Sequence, residues 1–367
     1  MEIMPNNLKR QYDLHAGEYE EKALAVLRSG WYILGKEVAA FEEEFAAYTG
    51  AAHCVGVASG LDALWMSLRI LGIGPGDEVI VCSNAYIACV MAISMNGATP
   101  VFVEPDRYDN IDAERIEEKI TPRTRAILAV HLYGQACDMT KIMALAEQYD
   151  LRVVEDCAQS HGNHWNGKVV GTFGDVGCFS FYPSKGCGAF GDAGAIITNR
   201  AEIADKFRVF RNYGSRVRYQ NEVVGTNSRL DELQAGLLRV KLKYLDGFNQ
   251  ERCGIAARYG REIINPVVQH PQIRPGADSS WHQYVIHVKG GQRDRLMEYL
   301  KSHGIGTIIH YPIPPHLSQA YAYLGFSKGD FPVAEQYASE VLSLPMYNGM
   351  LPEEQGYVIE TINAFRS

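Results

Sequence analysis

The chain has 367 residues, 47% hydrophobic and 21% charged, enough apolar material for one large core and a smaller second domain. Its formal net charge of −8 argues against a nucleic-acid surface. No run approaches the roughly 18 apolar residues that a membrane span needs, and an anionic ligand must be held by local groups rather than by the overall field.

The N-terminal stretch Met1 to Tyr19 is polar and lacks the apolar centre of a signal peptide, so the expected address is the cytoplasm. Residues 17–48 carry two helical patterns around the turn Ser29-Gly30-Trp31, the second with Val38, Phe41, Phe45 and Tyr48 on one face. A strand is expected at His53–Val57, and Gly60 opens a helix running to about Leu71. Further strands follow at Glu78–Cys82, Thr99–Val103, Ala126–Val130 and Leu151–Glu155. Helices lie between them at Ala85–Met95, Ala113–Lys119 and Met139–Tyr149.

This alternation predicts an α/β fold with a mostly parallel central sheet flanked by helices. Closely spaced strands, Val176–Tyr182 and Ala193–Thr198, then pair around a loop. One long helix is expected over Leu230–Tyr259, bridging a large domain (1–240) and a smaller α+β domain (241–367). The smaller part reads as strand Gln283–Val288, helix Arg293–His303, strand Ile305–Ile309 and two terminal helices.

Three runs carry chemistry. Ser180-Phe181-Tyr182-Pro183-Ser184-Lys185-Gly186-Cys187-Gly188 puts a lysine among small residues just after an apolar strand. Taken alone, Lys185 favours function only weakly, because most lysines are solvated surface residues. Val153-Val154-Glu155-Asp156-Cys157-Ala158-Gln159 ends a buried strand on two carboxylates, which need a charged partner. A protonated pyridine nitrogen is such a partner for Asp156; a helix cap is the alternative. Ala58-Ser59-Gly60-Leu61 is a strand-to-helix turn whose free N–H groups suit a phosphate. Ser180 can add a hydroxyl, and Tyr86 is placed to stack on a flat ring.

No metal is expected. The eight cysteines form no Cys-x-x-Cys pair, and His161 and His164, which follow the acidic pair, are read as structural.

Together these runs resemble the DegT/DnrJ/EryC1/StrS sugar aminotransferases, over nearly the whole chain from Gly35 to His310-Tyr311-Pro312. The resemblance implies the pyridoxal-phosphate fold (fold type I) of the aspartate aminotransferase superfamily, in a homodimer with shared active sites. It implies Lys185 as the Schiff-base lysine and proton shuttle, Asp156 on the pyridine nitrogen and Gln159 on the ring hydroxyl. Tyr86 would stack on the ring, Ser59, Gly60, Leu61 and Ser180 would hold the phosphate, and Asn227 would reach it from the other subunit. The runs Ser59–Leu64, His131 through Gln135 and Asn227 through Gln234 look most like enzymes that aminate dTDP-linked 3-keto-6-deoxyhexoses with L-glutamate, for surface-glycan or natural-product sugars. Tyr182, Arg218, His310, Tyr311 and His316 fall where the family contacts the sugar nucleotide.

Gly186-Cys187 replaces the family's usual pair after the lysine, and Arg218 stands where relatives often have lysine. The family's dehydratase branch has histidine in place of the lysine, so Lys185 argues against dehydration. Amino-acid aminotransferases of the superfamily clamp a carboxylate with a C-terminal arginine, for which Arg274 and Arg293 are candidates. A non-catalytic DNA-binding regulator would need a basic stripe that this acidic chain lacks.

Overall fold

Short β-branched runs separated by amphipathic segments fold as alternating strands and helices, because each strand needs both faces covered. The computed structural model describes residues 1–366. The first half contains α1 (Leu8–Asp13), α2 (Ala16–Ser29), α3 (Lys36–Thr49), β1 (His53–Val57), α4 (Gly60–Ile70), β2 (Glu78–Cys82), α5 (Ile87–Ser94), β3 (Thr99–Val103), β4 (Thr124–Val130), α6 (Met139–Tyr149) and β5 (Arg152–Asp156). A small hairpin, β6 (His164–Trp165) and β7 (Lys168–Val169), precedes β8 (Val176–Ser180), β9 (Gly194–Thr198) and α7 (Ala201–Phe210).

The main sheet has seven strands in the order β1-β9-β8-β5-β4-β2-β3. Only β9 runs against the others, pairing antiparallel with β1 and β8, so the sheet is mostly parallel as the alternation predicts. Val55, Val57, Ile80, Val81, Ile127, Leu128, Val154 and Ile196 are buried in it.

A second exposed hairpin, β10 (Ser215–Val217) and β11 (Gln220–Asn221), leads through an extended segment to α8 (Glu232–Leu242) and α9 (Leu245–Glu262). The remainder forms β12 (Val268–Gln269), β13 (Tyr284–Val288), α10 (Arg293–Ser302), α11 (Pro332–Glu340), β14 (Val341–Leu344) and α12 (Pro352–Ala364). Strands β12-β13-β14 make an antiparallel three-stranded sheet with its own apolar core, including Ile286, Leu296, Leu342 and Val358. Ile3 belongs to that second core, whereas Tyr321, Phe331 and Ala334 join the first, so the two cores are not divided at one point in the sequence.

Three expected elements differ. The single helix over 230–259 is two helices, interrupted at Lys243 and Tyr244. No glycine or proline marks the break; the Tyr244 ring stacks on His15 at 3.6 Å and its hydroxyl binds Glu18, so a tertiary contact turns the chain. The expected helix Ala113–Lys119 is two 3₁₀ turns, the first capped by the Asp112 carboxylate on the Glu114 N–H. The expected strand Ile305–Ile309 makes only isolated bridges, Ile3 to Ile305 and Ile308 to Ser343; the strand in this part of the chain is β14, paired with β13.

Buried carboxylates tie distant elements together by accepting bonds that helix starts leave open. Glu232, at the first turn of α8, accepts from the N–H groups of Gly35, Glu37 and Val38 at 2.8, 3.0 and 2.8 Å, capping α3 across nearly 200 residues of sequence. Glu104 does the same for α11 through Val333 and Ala334. Replacing Glu232 by Ala leaves three amides, two of them buried, without a partner, and the expected loss is about 1–3 kcal/mol of stability, read as a lower melting temperature, with Glu232→Gln in between.

Candidate active site

Loops at the carboxyl ends of β1, β2, β5 and β8 converge on one cavity of about 460 Å³. Ser59, Gly60 and Leu61 reach it from the β1–α4 turn, and Tyr86 from the residue before α5. Asp156 and Gln159 come from the end of β5, and Ser180, Tyr182 and Lys185 from the segment after β8. The second unit closes the opposite side with His282, Gln283, His310 and Tyr311.

Strand alternation separates the two acids of the Glu155-Asp156 pair. Glu155 is fully buried and accepts from the N–H groups of Gly171, Phe173 and Gly174 at 2.7, 2.8 and 2.8 Å, with the His131 ring at 3.1 Å. It is therefore structural. Asp156 points into the cavity, where its Oδ1 accepts from the Ala158 N–H at 2.9 Å and its Oδ2 from the Cys89 thiol at 3.0 Å. No helix begins at Asp156, which removes the capping alternative.

Lys185 lines the same cavity, yet its amine makes no ion pair or hydrogen bond with any described residue. Burial pushes its pKa below the usual lysine value; Asp156 and then Cys89 oppose that shift. His310 and His282 are held neutral. Burial, reinforced by the nearby Lys185 charge, takes His310 down to about 4 and His282 well below the usual histidine value.

The β1–α4 end of the cavity is built from close backbone approach. A Cβ on Gly60 would lie 2.5 Å from the Ser180 Cβ, so glycine is required for the helix start to rest against that serine. Ser59 caps α4 by accepting from the Asp62 N–H at 3.1 Å, leaving the first amides of the helix without an intrahelical partner. Asp62 in turn accepts from the Ser228 hydroxyl at 2.7 Å, which locks the β1–α4 turn to the segment before α8.

On the ring side, Tyr86 and Tyr311 face each other at 5.0 Å and Gln159 donates to the Tyr311 hydroxyl at 3.1 Å. A flat ring with a basic nitrogen and a phosphate thus finds a carboxylate, aromatic cover and an anion cradle in one cavity. The residues present fit pyridoxal phosphate.

A profile of the DegT/DnrJ/EryC1/StrS aminotransferase family matches residues 14–363. The chain belongs to this family. It is 53% identical over 349 residues, 95% of both chains, to the dTDP-3-amino-3,6-dideoxy-alpha-D-galactopyranose transaminase of Aneurinibacillus thermoaerophilus. The S. venezuelae DesV structure in complex with a ketimine intermediate superposes with a TM-score of 0.96 at 45% identity, covering 99% of this chain and 98% of that one. The Bacillus subtilis NtdA structure with bound cofactor PMP superposes with a TM-score of 0.90 at 31% identity, covering 97% and 83%. The protein is an aminotransferase, and its family implies a cofactor of the pyridoxal-phosphate type.

Within this family member, some expected contacts lie elsewhere. His316 does not reach the cavity: its side chain is buried, its Nε2 lies 3.1 Å from Glu335, and its ring packs at 4.8 Å from Phe331. His310 does line the cavity, but its Nε2 meets Gln283 at 2.9 Å and its Nδ1 meets Ser343 at 2.8 Å. Both ring nitrogens are engaged inside the protein, so His310 reads as wall rather than as a free donor. Arg218 and Asn227 are exposed and line no part of their own chain's cavity.

Neither arginine considered as a carboxylate clamp is available. Arg274 pairs with Asp106 over the Tyr108 ring, and Arg293 bonds the Ala338 and Val341 carbonyls. His161 packs 5.6 Å from both Phe179 and Phe181, and His164 pairs with Asp278, so the two histidines share no ligand position. His131, Glu155 and Cys157 lie close enough together to hold a metal ion. The His131 Nδ1 already accepts from the Cys137 N–H, which leaves its Nε2–H donating to Glu155 and no lone pair free.

Sequence reasoning missed His282 and Gln283, which form one wall. The only signal was a polar pair opening an apolar strand, and what they face is decided by how the second unit docks.

The buried amine has a thermodynamic signature. With its pKa lowered on folding, the native apoprotein binds fewer protons than the unfolded chain between the two values, so Lys185 makes stability rise with pH up to about 10.5. The Lys185→Met apoprotein is therefore expected to melt above wild-type apoprotein at neutral pH, with the gap closing as pH approaches that value. Thermal scans across pH check this; a gap independent of pH contradicts it.

Proposed function

We propose that the protein transfers an amino group from L-glutamate to a dTDP-linked 3-keto-6-deoxyhexose, giving the 3-amino-3,6-dideoxy sugar, with pyridoxal phosphate seated at Lys185. The observation that carries this reading is that Lys185 and Asp156 face one cavity without pairing with each other, beside an anion cradle and aromatic cover. The name of the Aneurinibacillus thermoaerophilus relative supports a dTDP-linked 3-amino-3,6-dideoxy product.

When bound, pyridoxal phosphate supplies a carbonyl that carries nitrogen and a protonated ring that accepts the electron pair left on a carbon losing its proton. The chain's residues do the rest. Asp156 would accept from the ring nitrogen and so favour its protonated form. The amides of Gly60 and Leu61 and the hydroxyls of Ser59 and Ser180 hold the phosphate, with the α4 dipole behind them. Tyr86 covers a ring face, and Gln159 is placed for the ring hydroxyl.

Lys185 would anchor the cofactor at rest and, once its amine is free, would take the proton from the donor's α-carbon. Desolvation suits it to this, because lowering the pKa of a lysine raises the share of neutral amine at any given pH. It would hand that proton to the cofactor's carbon within the same half-reaction, and in the second half-reaction would carry a proton the opposite way, from that carbon to C3 of the sugar. The keto sugar enters only after 2-oxoglutarate has left, so initial-rate plots at varied glutamate are expected to be parallel.

Among the described residues no arginine lines the cavity, although both substrates are anionic. A second copy is the natural source. Asn227 and Arg218 stand on the exposed segment around β10 and β11, which also presents Val217, Tyr219 and Val224 to solvent, Val224 at 96% exposure. A homodimer would bury these apolar residues and bring Asn227 to the neighbour's phosphate and Arg218 to the sugar nucleotide. Tyr182, 54% exposed at the cavity mouth, would border the reacting sugar carbon, with Tyr311 opposite.

The test offers purified enzyme and glutamate a panel of dTDP- and UDP-linked 3-keto and 4-keto sugars, in gluco and galacto forms, and follows gain of nitrogen by mass spectrometry. A 3-amino dTDP sugar is expected; a product aminated at C4, or none from any 3-keto sugar, overturns the substrate assignment. Lys185→Ala is expected to lose the visible absorbance band and to lower turnover by about 10²–10⁴-fold. Survival of either overturns the role of Lys185.

A further inference from the structure

We propose that Cys89 is a positioning residue for this reaction: its thiol fixes the Asp156 carboxylate in the orientation that meets the cofactor's ring nitrogen. The inference rests on the reading of Asp156 given above and assigns a role to a cysteine which composition alone presents as a small buried hydrophobe.

Asp156 is an acid in a mostly buried setting, and no lysine, arginine or histidine pairs with it among the described residues. A carboxylate so placed must be satisfied by hydrogen-bond donors. Two are present, one for each oxygen: the Ala158 N–H at 2.9 Å on Oδ1 and the Cys89 Sγ at 3.0 Å on Oδ2. The backbone donor comes from Asp156's own loop and holds only one corner. The thiol comes from a different element, α5, and fixes the second corner, which sets the plane of the carboxylate and leaves the remaining lone pairs toward the cavity.

Cys89 is suited to donate. It is fully buried, and burial followed by the Asp156 charge pushes its pKa well above the usual thiol value, so the S–H proton stays in place. It belongs to the first turn of α5, directly after Tyr86, whose ring lines the cavity. One helical turn therefore supplies both aromatic cover for the cofactor ring and the side-chain donor that aims its counter-charge. The other buried cysteines nearby do not share this contact; Cys178 bonds Ser67 and the Ala63 carbonyl instead.

The experiment compares Cys89→Ala, Cys89→Ser and Asp156→Asn in the full-length protein. Apoprotein is titrated with pyridoxal phosphate by visible absorbance, and the pH midpoint of the bound cofactor's band is then measured. Loss of the donor is expected to weaken cofactor affinity by about tenfold in Cys89→Ala and to move the band's midpoint by about one pH unit. Cys89→Ser, which keeps a donor in nearly the same volume, is expected to restore both to within about threefold and a few tenths of a unit.

If Cys89→Ala matches wild type in affinity and midpoint while Asp156→Asn loses both, the thiol has no positioning role and the inference fails alone. If Ala and Ser are impaired equally, packing and not donation is responsible, which also overturns it. If Asp156→Asn itself leaves affinity and midpoint unchanged, the reading of Asp156 fails, and the thiol's role with it.

Discussion

The site depends on keeping an acid and an amine in one cavity without letting them neutralise each other. Asp156 ends β5 and Lys185 follows β8, neighbouring strands of the main sheet, so the fold brings them close by topology alone. Left free to move, a carboxylate and an ammonium in a weakly solvated pocket would form an ion pair. Here Asp156 is tethered by donors on both oxygens and Lys185 is carried on a separate loop, closed by the Lys185 N–H to Tyr182 carbonyl bond at 2.8 Å. Everything else about the cavity follows from the space between them: aromatic cover from Tyr86 and Tyr311, the open amides at the start of α4, and neutral histidines that add no competing charge.

Supporting interactions hold the backbone segments rather than the side chains directly. Glu155 spends its carboxylate on three amides of the 171–174 loop, which fixes the end of β5 from behind. Glu232 ties α8 to the start of α3, and Ser228 ties the preceding segment to the β1–α4 turn. These contacts are between residues far apart in sequence, so the cradle is rigid only in the complete fold. That rigidity matters for an acidic protein binding anionic ligands, because its net field offers no help and the local amides must already be aimed.

Much of this was legible in the sequence because periodicity reports burial. The parallel strands and their intervening helices, the Ser59-Gly60 turn, Asp156 at a strand end and Lys185 in a small-residue loop are all local patterns. The failures share a cause. The break between α8 and α9 lies in a stretch without glycine or proline, where Tyr244 stacking on His15 decides the turn. His316 carries a polar side chain in a polar-looking segment, yet Glu335 and a cluster of phenylalanines bury it. His282 and Gln283 line the cavity only because the second unit docks against the first. The partner that satisfies a buried polar group is chosen in three dimensions, and no spacing rule encodes it.

The central claim is that Lys185, and no other lysine, carries the cofactor. Lys241 makes a demanding comparison, since it too is buried, with its pKa lowered to about 8 by burial. Incubating the protein with pyridoxal phosphate, reducing with borohydride and mapping the digest by mass spectrometry tests the claim directly. The account predicts a stoichiometric phosphopyridoxyl label on the peptide containing Lys185. A label on Lys241 or any other lysine, with Lys185 unmodified, would contradict it.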